Sequence, residues 1–266
     1  MRSICALLLI LAGLALPGHA QIAEQGNLSF SASFLGSVNS SGAIMKAEPM
    51  LTYKFNNHVE TYGGLPFYFV SVSSPITTTT PAKGGFMTGL GNAFVGMRLG
   101  VDGEAARYSS TLEFTAPTGD KSRGFSTGRV TADWTNRVSY RLSSLTPFGS
   151  IGVANTISDT SFFLRPFSSL GLIGHFEGGA TYDLSRDVWV GGSAYGVRAS
   201  GQQRIVNRGA SRPEMVVPAD IANDHGFSTW FGVSPRREVA FHAGYSRSVN
   251  YGFNSFFFGI GFQPGR

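Results

Sequence analysis

Arg129-Val130-Thr131-Ala132-Asp133-Trp134-Thr135-Asn136-Arg137-Val138-Ser139-Tyr140-Arg141-Leu142 carries the rhythm that decides the fold. Val130, Ala132, Trp134, Val138, Tyr140 and Leu142 interleave with Arg129, Thr131, Asp133, Thr135, Arg137, Ser139 and Arg141. A strand shows alternate residues to opposite faces of its sheet. One face here suits hydrocarbon and the other suits water. The same period recurs elsewhere. Met45, Ala47, Leu51, Tyr53 and Phe55 interleave with Lys46, Glu48, Thr52 and Lys54. Ala93, Val95, Met97, Leu99 and Val101 interleave with Asn92, Gly96, Arg98 and Gly100. Repeated around a closed sheet, this pattern predicts an all-β fold, a closed antiparallel transmembrane β-barrel.

The pattern divides the chain into twelve strands, near 27–36, 45–55, 59–72, 89–101, 107–117, 128–142, 147–157, 168–184, 188–199, 226–234, 239–247 and 253–262. The connections at 56–58, 102–106, 143–146, 185–187 and 235–238 are short. Those at 37–44, 73–88, 118–127, 158–167, 200–225 and 248–252 are mostly longer, and the two kinds alternate. Short periplasmic turns and longer extracellular loops are the asymmetry of outer-membrane barrels. An even count returns both ends to the periplasm. Closure is required because an open edge in lipid leaves unpaired amides, each costing several kcal/mol. The alternative is a soluble sandwich or lipocalin-like barrel. It places apolar residues inward, and its shorter strands and smaller core fit this chain less well.

Residues 1–20 read as a cleaved signal peptide, with Arg2 as the charged start, an apolar run over 4–16, and Gly18-His19-Ala20 before the cleavage point. That run is too short to span a bilayer. Residues 21–266 then form one barrel domain. The single cysteine, Cys5, lies inside the leader, so the mature chain has no disulfide and no cysteine metal ligand. Beyond the leader no apolar run is long enough for a membrane helix. The chain has 35 glycines, 22 phenylalanines and only 14% charged residues, which suits lipid-facing strands with tight turns. A formal net charge of +5, one unit of it from Arg2, is too mild to argue for nucleic acid. Expected partners are outer-membrane lipid and lipopolysaccharide, the barrel-assembly machinery and a small-molecule solute. No cofactor and no metal are expected.

Gly89-Leu90-Gly91-Asn92-Ala93-Phe94-Val95-Gly96-Met97-Arg98-Leu99 resembles a repeated element of the outer-membrane family named for the meta-pathway of phenol degradation. Its members carry a Gly-Leu-Gly-Asp-like start and then an alternating strand with a glycine and a basic residue. The Ala116-Pro117-Thr118-Gly119-Asp120 turn resembles that family's Leu-Pro-Thr-Gly-Asp. Residues 168–184 with Arg186-Asp187, and Ala240 to Tyr245, are similar to later family elements. Two departures stand out. Asn92 replaces the usual Asp, and the chain ends Phe262-Gln263-Pro264-Gly265-Arg266 instead of on an aromatic residue. The resemblance implies a barrel, with passage of small hydrophobic or aromatic compounds.

Strand parity assigns an inward polar set of Lys46, Glu48, Lys54, Glu60, Arg98, Glu113, Arg129, Asp133, Arg137, Arg141, His175, Glu177 and Asp183. Arg129, Asp133, Arg137 and Arg141 form the densest row. With Arg98 they predict a positive pore that favours anions. The competing expectation is that the arginines pair with Glu113, Glu177 and Asp183 and simply fill a narrow lumen, because an unpaired interior charge is costly. Arg204, Arg208 and Arg212 lie in the longest loop, where a spacing of four would place them on one face of a short helix to bind lipopolysaccharide phosphates or form a gate. A solvated loop is the alternative. Residues 77–80, between Pro75 and Pro81, read as an exposed loop tip.

An enzyme is the competing class. His58 falls in a turn, His175 and His242 have inward parity, and His225 sits in a loop. None has a hydroxyl residue two positions away on a lipid-facing rim, as a Ser–His hydrolase there would need. Gly89-Leu90-Gly91 with Gly96 has the wrong spacing for a nucleotide loop, and no helix follows it. The leading function is a narrow channel or facilitator for small molecules. The runner-up is a non-conducting structural or surface-interaction barrel. Paired interior charges favour the second, and an unpaired arginine row facing open space favours the first.

Overall fold

A computed structural model describes residues 28–39, 42–72, 85–157, 159, 164–165, 167–208 and 214–263. The leader, the loop tip at 77–80 and Arg212 lie outside the described residues. The strands are β1 (Leu28–Asn39), β2 (Gly42–Lys54), β3 (Val59–Gly64), β4 (Phe67–Val72), β5 (Phe86–Leu90), β6 (Phe94–Asp102), β7 (Ala106–Thr115), β8 (Thr131–Tyr140), β9 (Leu145–Ala154), β10 (Phe167–Leu170), β11 (Ile173–Asp183), β12 (Val188–Ala199), β13 (Gln203–Asn207), β14 (Glu214–Val217), β15 (Asp224–Arg236), β16 (Val239–Ser248) and β17 (Phe253–Phe262). A single helical turn, α1 (Ala219–Ala222), precedes β15. Among the described residues no helix is long and apolar enough to cross a membrane.

The main sheet closes on itself because β1 pairs with both β2 and β17. Its neighbours are all antiparallel and follow chain order around the ring. Two of the staves are interrupted. β3 and β4 are halves of one, broken at Leu65-Pro66, where proline has no amide to donate. β5 and β6 are halves of the next, broken at 91–93. The Gly91 amide still donates to the Pro66 carbonyl at 2.8 Å, so the two breaks sit side by side. Counted this way, twelve staves among the described residues form the wall.

The outer face carries the apolar half of each alternation. Val95, Met97, Leu99 and Val101 on β6 are all exposed, as are Trp134 and Val138 on β8 and Ile151 and Val153 on β9. Tyr53, Tyr108, Tyr140 and Tyr182 lie near the short-turn end, the placement of an aromatic girdle. Hydrogen bonds along the wall occupy some polar tips: Tyr108 donates to Asn136 at 2.7 Å and Trp134 Nε1 to Ser110 at 2.9 Å.

The structure departs from the sequence reading at the long-loop end. The first of these connections is a tight hairpin instead of a long loop, because pairing runs on to Asn39 and Gly42. The strand expected over 168–184 joins the wall only at Ile173. Residues 167–170 leave it and pair with β13, which pairs with β14 in a separate three-stranded sheet. Arg204 and Arg208 therefore lie on and just after a strand, not on a helix. The cause is burial. Ile205 packs with Ala154, Ile157, Phe167, Ile173, Tyr195, Val197 and Val217, and alternation inside a small sheet delivers it there. A second apolar cluster joins Ile44, Tyr68, Val70, Phe125 and Leu164. Both clusters sit at the long-loop end, where they cap the lumen. Fully burying each such side chain contributes about 1.5–3 kcal/mol.

Candidate functional site

The candidate site is the lumen, which changes character from one end to the other. At the short-turn end is a cavity of about 650 Å³ lined by Lys54, His58, Glu60, Arg98, Arg107 and Arg137, among others. Arg98 Nη1 lies 2.6 Å from Glu60 Oε1, and the pair is placed by direct register of β6 against β3. Arg107 reaches Asp102 at 3.5 Å, with both side chains exposed, so that pair adds little. Arg137 holds its guanidinium 4.1 Å from the Phe148 ring centroid.

Arg137 also lines a second cavity of about 260 Å³, with Asp133, His175, Glu177, Tyr195 and Val197. Its side chain is shared by the walls of both spaces. His175 Nε2 lies 3.1 Å from Asp133 Oδ1, and Thr135 donates to the same carboxylate oxygen at 2.7 Å. Gly152 on β9 makes room for this ring: a Cβ there would overlap the imidazole. Thr135 Oγ1 is 3.5 Å from His175, but from the same Nε2 that meets Asp133. A hydroxyl-activating base oriented by a carboxylate uses its two ring nitrogens separately, so this arrangement does not form a nucleophile.

At its far end the second cavity meets Asp159 and Arg165. Asp159 accepts both Arg208 Nη atoms at 3.0 Å, the Arg165 amide at 3.0 Å and the Tyr68 hydroxyl at 3.2 Å. Arg208 also donates to the Arg165 carbonyl at 2.7 Å and lies 4.5 Å over the Tyr68 ring. Burial works against the Asp159 charge, but Arg208 and Lys46 beside it, with these hydrogen bonds, hold its carboxyl below the usual range. Burial works against the Arg208 charge too, and Asp159 more than offsets it. Beside this pair, Asp224 is fully buried, lies 4.0 Å from Arg165, and accepts Tyr195 at 3.0 Å and Ser248 at 2.7 Å. Phe125 enters from the loop after β7 and stacks on Tyr68 with centroids 6.0 Å apart. The loop turns inward through Gly124, whose φ of +76° favours glycine and whose missing side chain would collide with the Asn207 carbonyl.

The residues singled out by parity fall into several groups. Lys46 and Glu48 pair at 3.0 Å within the lumen. Glu113 accepts the Tyr62 hydroxyl at 2.9 Å. Arg141 and Asp183 sit at the short-turn rim, 3.9 Å apart and well exposed. Lys54 is exposed at the end of β2. Arg129 is not on a strand. The turn Ser126-Thr127-Gly128, with φ of +70° at glycine, ends just before it and leaves it exposed above the wall. Arg204 is exposed and Arg208 is buried in the cap. The row of four therefore separates, and only Asp133 and Arg137 of it line the inner cavity.

Sequence reasoning missed Asp159, Arg165 and Asp224, because all three were assigned to loops or loop ends. A signal was present. Ile157, Leu164 and Phe167 flank or interrupt that supposed loop, and an exposed loop has no use for a run of large apolar residues.

Solved structures share the barrel fold over most of the chain. An outer-membrane channel from Pseudomonas putida F1 superposes with a TM-score of 0.61 at 12% identity, over 94% of this chain and 99% of its own. The fold is that of outer-membrane β-barrels. The NanC porin gives a TM-score of 0.53 and the KdgM porin 0.50, each at 8% identity over 87% of this chain and 98% of its own. Neither a family model nor a curated relative matches the sequence.

Proposed function

We propose that the chain is an outer-membrane channel for small molecules, with its short turns in the periplasm and its long-loop end at the cell surface, resting in a closed state. The observation that carries this reading is the lumen itself. A polar cavity of about 650 Å³ and one of about 260 Å³ share Arg137 on their walls, and the second ends at Asp159 and Arg165 in a cap that no strand ladder joins to the main sheet. A barrel built only as a wall has no need of a wet interior that ends at a releasable closure. Fold likeness to channels and porins supports the reading. Export by the leader, folding by the barrel-assembly machinery and contact with lipopolysaccharide belong to the same proposal. So does kinship with the phenol meta-pathway family and its small hydrophobic or aromatic solutes.

One observation favours the non-conducting barrel: most interior charges are paired, including Arg98 with Glu60 and Lys46 with Glu48. Single-channel recording of the refolded mature protein in a planar bilayer separates the two. Discrete conductance steps, from brief openings of the cap, are expected. A folded, heat-modifiable barrel that stays silent across the voltage range overturns the channel reading and leaves the surface role.

A further inference from the structure

One pair of interior charges is unlike the others. Arg137, Ser150 and Glu177 stand at one level on three adjacent staves, since Arg137 pairs in register with Ser150 and Ser150 with Glu177. All three line the 260 Å³ cavity. Neighbouring strands are about 4.8 Å apart, so the two backbones carrying the charges are roughly 10 Å apart, with only a serine between them. The charges feel each other but do not meet. Among the described residues neither is in an ion pair, and Arg137 is instead drawn over Phe148. The other charged groups on this cavity have direct partners: Asp133 is hydrogen-bonded by His175 and Thr135, Asp159 pairs with Arg208, and Arg165 with Asp224.

A lone anion entering the gap meets Arg137 but is repelled by Glu177, and a lone cation meets the reverse. A molecule carrying both signs satisfies both. The remaining wall is partly apolar, through Ile157, Ile173 and Val197. We propose that Arg137 and Glu177, flanking Ser150, bind a small apolar zwitterion, with its carboxylate on the guanidinium and its ammonium on the Glu177 carboxylate. Guanidinium presents a planar fork that matches a carboxylate, and a charge-assisted contact to each end of the solute is stronger than a neutral one. Passage of the solute through the barrel rests on the channel reading, but binding does not.

The test is calorimetric titration of the refolded barrel in detergent with leucine, with 4-methylpentanoate, which is leucine without its ammonium, and with isopentylamine, which lacks the carboxylate. Leucine is expected to bind about tenfold or more tighter than either, each tenfold being about 1.4 kcal/mol. Arg137→Gln is expected to bring leucine down to the amine, and Glu177→Gln to bring it down to the acid. Arg137→Lys keeps the charge without the fork and retains the preference, which guards against a misfolded Arg137→Gln. Leucine no tighter than both analogues on the wild-type barrel overturns the site, as does a preference that survives both neutral variants. Leucine that binds but never leaves barrel-containing liposomes supports the site and counts against the channel alone.

Discussion

Asp159→Asn is the sharpest perturbation of the closure. It keeps the shape of the side chain and removes its charge. Arg208 loses its anionic partner at two contacts of 3.0 Å, in a place where the two side chains are only 8% and 6% exposed. Removing one partner of a buried pair costs about 3–5 kcal/mol, because the other charge is left uncompensated. The asparagine carbonyl still accepts one bond, so about 3 kcal/mol is the figure to carry forward. If the cost falls on the closed cap and not on the wall, the closed-to-open ratio drops roughly 150-fold. The assay is open probability in planar bilayers, with heat-modified gel mobility as the check that the barrel has formed. Asp159→Asn combined with Arg208→Gln removes both charges and is expected to be less open than the single variant, since no unpaired ion remains. An unchanged open probability in a correctly folded Asp159→Asn barrel would refute the assignment of this pair as the closure, and so would a double variant as open as the single one.

Three further outcomes follow from the same geometry. Because the Asp159 carboxyl is held below its ordinary value near 4, the closure it supports is fully present above that value and is lost as pH falls through the lowered one. Open probability should therefore be flat between about pH 5 and 8 and rise only in stronger acid, and Asp159→Asn should lack that acid rise. Val138→Arg places a charge on the exposed outer face of β8, two residues from Tyr140 of the girdle, and should lower barrel stability by about 1–2 kcal/mol in urea titrations in vesicles, less than such a charge costs at the bilayer midplane; an unchanged or higher stability would mean that this face does not meet lipid. Gly152→Val drives side-chain atoms into the His175 ring and should destabilise the barrel by about 1–3 kcal/mol, measured by thermal unfolding, with His175→Ala recovering part of the loss.

The wall was legible in the sequence because a two-residue period is a local property. Val95 to Val101, or Trp134 with Val138, needs no distant partner to declare which face is apolar. Register between neighbours then follows from the short turns. The cap was not legible, for the opposite reason. Asp159 means nothing until Arg208, 49 residues away, is placed against it. Arg204 and Arg208 have the spacing of a helix face, yet Ile205 and Val206 between them are wanted by a buried sheet, and that tertiary demand sets the local structure. Arg129 and Arg141 kept the parity of β8 but fell beyond its ends, so parity alone extended the row too far. Parity does assign Arg137 and Glu177 to the same side, but that neither has an ion partner can be read only from three-dimensional distances.

The height of the wall explains where the closure sits. β7 ends at Thr115 and β8 begins at Thr131, while β4 and β5 continue upward. Among the described residues β5 has backbone partners only along its β4 edge. Away from that edge, Arg123 reaches the Thr88 carbonyl at 3.5 Å, and Gly119 lies close to the Leu90 carbonyl. The notch between β5 and the short β7–β8 pair is filled from inside by the turn that carries Phe125, Ser126 and Thr127, all buried. That turn meets Tyr68 by stacking and β13 by close backbone contact, and no ladder of strand hydrogen bonds ties it to the wall. Displacing it therefore breaks packing and a few polar contacts but leaves every stave paired as before. On the channel reading, a closure with that property would open without unfolding the barrel, and it sits where the wall is lowest.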